Sequence, residues 1–329
     1  MNKVRWGILG AGRIANDFAM GLSELPDAQL LAVGSRTQEN ADSFGGKHNI
    51  SHRYASYEAL AADPDVDVIY VATPHPMHHA NSMLCLQAGK AVICEKPFTI
   101  NASEAASLAT YARTHKLFLL EGMWTRFLPV MVKVRELLSQ GVIGDVRMVQ
   151  ADFGFRANLN PAGRLFAPEL GGGALLDVGV YVTSFASMVL GPKAPNHVVS
   201  LAHIGETGVD EQTAFALEYQ NGTLAVLSCA TRTSSANEAT ILGTTGRIKV
   251  HSPFYHSTRL TLSIYGKDDL VIDLPITGNG FNYEAAEVMS CIREGKTESD
   301  VLPLDETIAV MQTLDRVRAP WGLTYPTEK

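Results

Sequence analysis

Cysteine is scarce: Cys85, Cys94, Cys229 and Cys291 are four in 329 residues, widely separated and without a C-x-x-C pair. That spacing speaks against a disulfide framework or a cysteine metal cluster, and predicts reduced, buried thiols in a cytoplasmic protein. Charge is also limited. Charged residues make up 19%, the formal net charge is −7, and there is no long Lys/Arg run. Nucleic acid and anionic membrane surfaces are therefore not expected partners. No apolar stretch reads as long enough to span a bilayer. The N-terminus passes directly into Val4-Arg5-Trp6-Gly7-Ile8-Leu9, without the long apolar core and small-residue cleavage site of a signal peptide. Repeats, low-complexity tracts and a flexible linker are missing too. What remains is a chain that is 46% apolar over 329 residues, enough for the cores of two ordinary domains and too apolar for disorder.

Residues 1 to about 122 alternate strand and helix. Strands are expected at Lys3–Leu9, Gln29–Val33, Val66–Val71, Ala91–Cys94 and Leu117–Leu120, and helices at Ile14–Leu25, Ser56–Ala62, Pro76–Ala88 and Ser103–His115. Strands this uniformly apolar are covered on both faces, which predicts an α/β domain with a doubly wound parallel sheet. The pattern changes after Met123-Trp124-Thr125-Arg126. Residues 123–329 read as an α+β domain on a large, mostly antiparallel open sheet, with helices at Pro129–Gln140, Ala174–Leu190, Tyr283–Arg293 and Leu304–Val317. The segments Ala214–Tyr219 and Gly222–Ser228 flank Gln220-Asn221-Gly222, a hairpin signal. One face of this sheet is expected to carry helices. The other needs a cover, most simply a second subunit.

Two motifs in the first domain carry chemistry. Gly10-Ala11-Gly12-Arg13-Ile14-Ala15 follows a strand and opens a helix. Gly10 suits a tight turn, Gly12 lets backbone approach a pyrophosphate, and Ala15 lets helix and strand pack closely. The helix start then offers N–H groups and a positive dipole end to phosphates. The second strand ends at Val33-Gly34-Ser35-Arg36, with no acid to hold a ribose 2′-hydroxyl. Ser35 and Arg36 offer a hydroxyl and a guanidinium fork suited to a 2′-phosphate, so NADP(H) is expected over NAD(H). Glu95-Lys96-Pro97 closes the apolar run Ala91-Val92-Ile93-Cys94, which puts a lysine at the ligand-binding edge of the sheet. A cis bond before Pro97 is one way to turn Lys96 inward. Thr73, Pro74 and His75 follow the strand Val66–Val71 and are expected on the nicotinamide side. His75, His78 and His79 have no second ligand group beside them, and no metal is expected.

These motifs, with Ala72-Thr73-Pro74 and His78, Gly89-Lys90 and Gly172-Gly173-Ala174-Leu175-Leu176-Asp177, resemble the Gfo/Idh/MocA oxidoreductase family. Arg5-Trp6-Gly7-Ile8, Met123–Phe127, Glu206-Thr207-Gly208-Val209-Asp210 and Asp177-Val178-Gly179-Val180-Tyr181 are similar to its dimeric trans-dihydrodiol dehydrogenase and NADP-dependent D-xylose dehydrogenase branch. The resemblance implies a Rossmann domain over 1–122 and a substrate-binding and dimerisation domain over 123–329, with a homodimer formed through the C-terminal sheet. It implies hydride transfer between nicotinamide and a secondary alcohol or carbonyl of a sugar, sugar derivative or cyclic trans-diol. Its cofactor positions fall on Gly10, Gly12, Arg13, Ile14, Ser35, Arg36, Thr73, Pro74, His75, His78, Glu95, Lys96 and Trp124. Where the wider family often has histidine, this chain has Tyr181.

Oxidising a carbinol needs a base for the hydroxyl proton, and the reverse needs an acid. Asp177 and Tyr181 stand four apart in a helical segment and are expected on one face. Tyr181 is the candidate acid/base. A free phenol titrates near pH ~10, and the Lys96 ammonium is expected to lower that value and stabilise an oxyanion. Asp177 is expected to orient substrate or Lys96 by a charge-assisted hydrogen bond. Trp124, Arg126, Phe127, Phe155 and Arg156 are expected along the substrate, as aromatic walls and hydroxyl partners for a ring. Two other readings compete: a reductase of a dicarbonyl or anhydro-sugar, and a non-catalytic NAD(P)-binding regulator on the same fold.

Overall fold

The computed structural model describes residues 3–328, and the chain divides into two compact units. The first runs to Thr99, resumes at Ser103–Trp124 and takes up Thr277–Thr307; the second holds Ile100–Ala102, Thr125–Ile276 and the segment from Ile308 on.

In the first unit six short strands pair in parallel. They are β1 (Val4–Leu9), β2 (Ala28–Gly34), β3 (His52–Tyr54), β4 (Val68–Val71), β5 (Ala91–Glu95) and β6 (Leu119–Gly122), in the order β3-β2-β1-β4-β5-β6. β4 and β6 are buried along their whole length, as strands covered on both faces must be. The order reverses between β1 and β4, the place where open sheets of this kind bind ligands. Register brings the strand ends together, with Leu9 beside both Gly34 and Val71.

Helix α1 (Arg13–Leu22) buries Ala15, Phe18, Ala19 and Leu22, spaced to form one apolar stripe. Phe18 stacks on Tyr70 of β4 with ring centres 3.7 Å apart. Helix α2 (Gln38–Lys47) was not among the expected elements. It is mostly polar, and Thr37 caps it by accepting the Asn40 N–H at 3.3 Å. Helices α3 (Tyr57–Ala61), α4 (His78–Gln87) and α5 (Ala102–His115) complete the alternation.

A linear division at 122/123 assigns residues 277–307 to the second domain, yet they pack in the first unit. The reason is local. The helix Phe281–Arg293 lies on α1, with Phe281 and Phe18 ring centres 6.4 Å apart. A Cβ on Gly21 would come within 2.7 Å of Phe281 Cβ, so the two helices meet backbone to side chain.

The second unit begins with α6 (Pro129–Ser139) and is built on eight strands. These are β7 (Val146–Gly154), β8 (His197–Ile204), β9 (Asp210–Glu218), β10 (Leu224–Ala230), β11 (Ala239–Gly243), β12 (Gly246–Val250), β13 (Arg259–Ile264) and β14 (Leu270–Asp273). Their order is β14-β13-β12-β11-β7-β10-β9-β8. All pairs are antiparallel except the central β7–β10 pair. The expected hairpin forms between β9 and β10, with Glu218 opposite Leu224 and Asn221 at φ 65° in the turn. Helix α7 (Val180–Leu190) packs on β7 and β10. The opposite face stays open and partly apolar: Val199 is 70% exposed and Leu201 79%, and Val226 is also exposed.

One expectation needs correction. Pro168–Leu190 is, by length and composition, long and apolar enough to cross a membrane, with mean hydropathy 1.6 over an 18-residue window. Its apolarity has an internal use here, since 83% of that window is buried within the protein.

Candidate active site

At the end of β1 the chain turns at Gly10, whose φ of +106° disfavours a side chain. A Cβ there would come within 2.8 Å of the Ala72 carbonyl oxygen, so β1 and β4 close on each other through this residue. Gly12 is different: a Cβ on it would meet nothing within 4 Å. It stands at the start of α1, where no side chain caps the helix and no acid sits in the first turn. The first-turn N–H groups and the positive dipole end are therefore left for an anion. A cleft of about 300 Å³ opens here, lined among others by Gly10, Gly12, Ser35, Arg36, Thr73 and Pro74. Ser35 is buried and Arg36 is exposed. These residues suit a dinucleotide phosphate: open backbone at Gly12, an uncapped helix start, and a cation at the second strand. Asn40, Tyr57 and Met77 also line the cleft. They were not foreseen, because α2 was not recognised and Tyr57 reads as an ordinary helix residue. Burial raises the Tyr57 phenol pKa, and the nearby Arg36 charge offsets part of that rise. Arg13 and Ile14 follow on α1, and the Arg13 side chain is 97% exposed.

The loop after β4 is tied to the loop after β5 by one residue. His78 is fully buried, with Nδ1 2.8 Å from the Pro97 carbonyl oxygen and Nε2 2.8 Å from that of Thr73. Asn81 adds a bond from its amide to the Thr73 hydroxyl at 3.1 Å. His75 is buried, its ring centre 5.7 Å from that of His78, whereas His79 lies 3.4 Å from the Ser107 hydroxyl. The Lys96–Pro97 peptide is cis, as anticipated, and Lys96 is half-buried. Glu95 lies inside, where one carboxylate oxygen accepts the Tyr70 hydroxyl and the other accepts the Lys96 N–H at 3.1 Å. Lys90 is buried too, donating to the carbonyls of Asp63 and of Val66, the latter at 2.8 Å. The four cysteines are all buried and unbridged, and burial pushes the thiols of Cys85, Cys94, Cys229 and Cys291 up.

In the second unit Asp177 and Tyr181 lie on one continuous helical run, both buried. Its first part, Leu175–Gly179, winds as a π-helix, wider than the α-helix that the four-residue spacing presupposes. Asp177 is already paired: Arg164 Nη1 lies 2.6 Å from its Oδ1. Arg164, on the loop before the glycine triplet, had no sequence signal, since loop contacts have no period. Tyr181 sits among Phe153 and Tyr255, with ring centres 5.4 and 5.9 Å away. The helical run starts against Asp210, whose carboxylate accepts the Leu175 N–H at 2.8 Å and the Thr213 hydroxyl at 2.9 Å. Burial outweighs those bonds and pushes Asp210 up to about 6.

The expected ring walls divide between the units. Trp124, in the first, is buried and stacks on Phe281 with ring centres 5.1 Å apart. In the second, Phe127 and Arg126 are buried, the latter donating to Ser184 at 3.3 Å. Phe155 is half-buried at the end of β7, and Arg156 is exposed and bridges in sheet fashion to Arg232.

Comparison with known proteins agrees with this layout. Residues 4–123 match the model of an oxidoreductase family with an NAD-binding Rossmann fold, and residues 131–249 that of a Gfo/Idh/MocA C-terminal domain. The chain is 41% identical over 332 residues to trans-1,2-dihydrobenzene-1,2-diol dehydrogenase of Xenopus tropicalis, covering 98% of this chain and 99% of that one. The Homo sapiens enzyme of that name is 39% identical over 333 residues, covering 99% of each. Among solved structures, an aldose–aldose oxidoreductase from Caulobacter crescentus superposes with a TM-score of 0.88 at 25% identity, covering 97% of both chains. A 3-ketoreductase from Actinomadura kijaniata, crystallised with NADP and TDP-benzene, superposes with a TM-score of 0.85 at 25% identity over 97% and 98%. The chain therefore belongs to the Gfo/Idh/MocA family of NAD(P)-dependent dehydrogenases, in the branch of the trans-dihydrodiol dehydrogenases.

Proposed function

We propose that the protein transfers a hydride between NADP(H) and a secondary alcohol or carbonyl of a sugar, sugar derivative or cyclic trans-diol, with Lys96 and Tyr181 as its acid/base pair. The glycine cleft carries this reading, in a chain similar over nearly its whole length to diol dehydrogenases. NADP(H) is favoured over NAD(H) by Arg36 on the cleft and by the absence of an acid at the end of β2. The NADP bound to the 3-ketoreductase supports the same choice.

When bound, the nicotinamide accepts or returns the hydride. Tyr181 takes the hydroxyl proton in the oxidative direction and gives it to the carbonyl oxygen in the reductive one. Lys96 stabilises the charge that develops on that oxygen. Asp177, held by Arg164, orients the substrate through its second carboxylate oxygen. Trp124, Phe127, Phe155 and Arg156 contact the substrate ring and its hydroxyls. No metal enters the scheme. The open sheet face, with Val199, Leu201 and Val226 exposed, favours a homodimer through that face.

The test is NADPH absorbance across a panel of pentoses, hexoses, anhydro-sugars and trans-diols. Turnover on at least one carbinol is expected, falling by orders of magnitude in Lys96→Met with cofactor affinity retained. Cofactor binding without turnover on the whole panel would overturn the reading. Light scattering checks assembly, and a monomer at micromolar concentration would remove the dimer.

A further inference from the structure

The start of the helical run that carries Asp177 and Tyr181 is held by two residues that no step above uses, and they meet at Gly173. One is Asp210, the first residue of β9 and fully buried. Its Oδ2 accepts the Leu175 N–H at 2.8 Å, satisfying one of the N–H groups that a helix leaves open at its start. Thr213, three residues along β9, donates its hydroxyl to the same oxygen at 2.9 Å and steadies it. The fit is close. Gly173 has φ +119°, and a Cβ on it would strike Asp210 Oδ1. The third glycine of the triplet thus leaves the space that the carboxylate fills.

Close to it stands Tyr325, fully buried, its hydroxyl 3.3 Å from where a Cβ on Gly173 would lie. Its hydroxyl donates to the Gly172 carbonyl oxygen at 2.8 Å. The segment around Tyr325 is itself fastened. Glu328 accepts the Tyr325 N–H at 2.9 Å, Arg318 Nη1 at 2.6 Å and the Asn101 amide at 3.0 Å. The Arg318 guanidinium lies 5.4 Å above the Tyr325 ring centre.

We infer that Asp210 and Tyr325 are positioning residues for the acid/base helix, so that the last residues of the chain help to set where Asp177 and Tyr181 stand. This rests on the acid/base assignment made above for Tyr181. Asp177 lies two residues beyond Leu175 and Tyr181 six, on one hydrogen-bonded run, so a shift at Leu175 is passed to both. Displacements of about 1 Å at reacting groups are enough to cost about a hundredfold in rate.

The test compares full-length Tyr325→Phe, Asp210→Ala, Asp210→Asn and Tyr181→Phe with the unaltered protein, using NADP and a cyclic trans-diol. Tyr325→Phe and Asp210→Ala are expected to lower kcat at least tenfold, with Kd for NADPH changed by less than threefold. Asp210→Asn keeps an acceptor for the Leu175 N–H and is expected to recover most of the loss, which a general packing defect would not allow. Should Asp210→Ala fail to fold, Tyr325→Phe and Asp210→Asn decide. Unaltered kcat in folded Tyr325→Phe, beside an inactive Tyr181→Phe, overturns the positioning role alone. Unaltered kcat in Tyr181→Phe overturns the acid/base assignment and the positioning role together.

Discussion

Arg164 brings a guanidinium nitrogen to 2.6 Å from Asp177 Oδ1, coupling a half-exposed cation to a buried carboxylate four residues before Tyr181. In the proposed mechanism Asp177 would meet substrate as one half of an ion pair. Its orientation is set from a loop outside its own helix. Replacing Arg164 with alanine leaves a buried carboxylate without that partner, which is the costly way to break such a pair. Because the arginine is half solvated, the loss is expected to be moderate. Arg164→Ala should lower kcat/KM about tenfold, or about 1.4 kcal/mol, mostly through KM. Arg164→Lys should recover only part, since an ammonium lacks the planar fork. Steady-state kinetics with a cyclic trans-diol check this. Equal kcat/KM in all three proteins would contradict it.

Cofactor choice should rest on Arg36. Charge-assisted bonds to a phosphate contribute about 1.5–3 kcal/mol, so Arg36→Ala should weaken NADPH binding by about 10–100-fold. NADH, which lacks the 2′-phosphate, should bind the variant and the unaltered protein alike. Fluorescence titration of both nucleotides separates the two. Parallel losses for NADPH and NADH would assign Arg36 a general electrostatic role instead.

His78 joins the Thr73 and Pro97 carbonyls within the first unit. A neutral imidazole donates through one nitrogen only, so His78→Ala would remove the N–H that binds one of these oxygens and the ring that packs beside the other, a loss of about 1–3 kcal/mol. Thermal melting should fall by several degrees. His78→Gln, able to donate from one amide, should fall less. A melting curve unchanged in the alanine variant would show that water replaces the ring without loss.

Asp210 gives stability a pH dependence of unusual sign. Its folded-state pKa is pushed up from 3.8 to about 6 by burial. Between those values the folded protein holds a proton that the unfolded chain has released, so the contribution of Asp210 to stability falls as pH rises and levels off above about 6. The gap corresponds to about 3 kcal/mol. Asp210→Asn cannot ionise. Its stability relative to the unaltered protein should therefore improve by about that amount between pH 4 and pH 7, as read from urea unfolding. A difference independent of pH would mean that the carboxylate stays charged throughout.

Much of the layout was legible because it repeats locally. The Gly10–Ala15 turn, the uniformly apolar strands and the Asn221-Gly222 hairpin each follow from short-range chemistry. The exceptions share a cause as well. Helix α2 buries only Ala41, Phe44 and Gly45, too narrow a stripe to register as periodic. The parallel pairing of β7 with β10 joins strands about seventy residues apart, and no turn signal announces it. Asp210 and Arg164 act on Leu175 and Asp177 from 35 and 13 residues away, through contacts that only folding creates. Motifs that offer their own backbone to a ligand left a signal in the sequence, whereas a side chain held by another from a distant segment left none.

The return of residues 277–307 to the first unit has a consequence for biosynthesis. A ribosome that has released residues 1–124 has made all six strands of the parallel sheet, but not the helix that covers α1 around Phe18 and Gly21. Until some 150 further residues have emerged, that apolar patch has no native cover. Nascent chains of this length are therefore natural clients for a chaperone. A fragment cut at Trp124 would inherit the same bare patch and is expected to aggregate more readily than the whole protein, as read by light scattering.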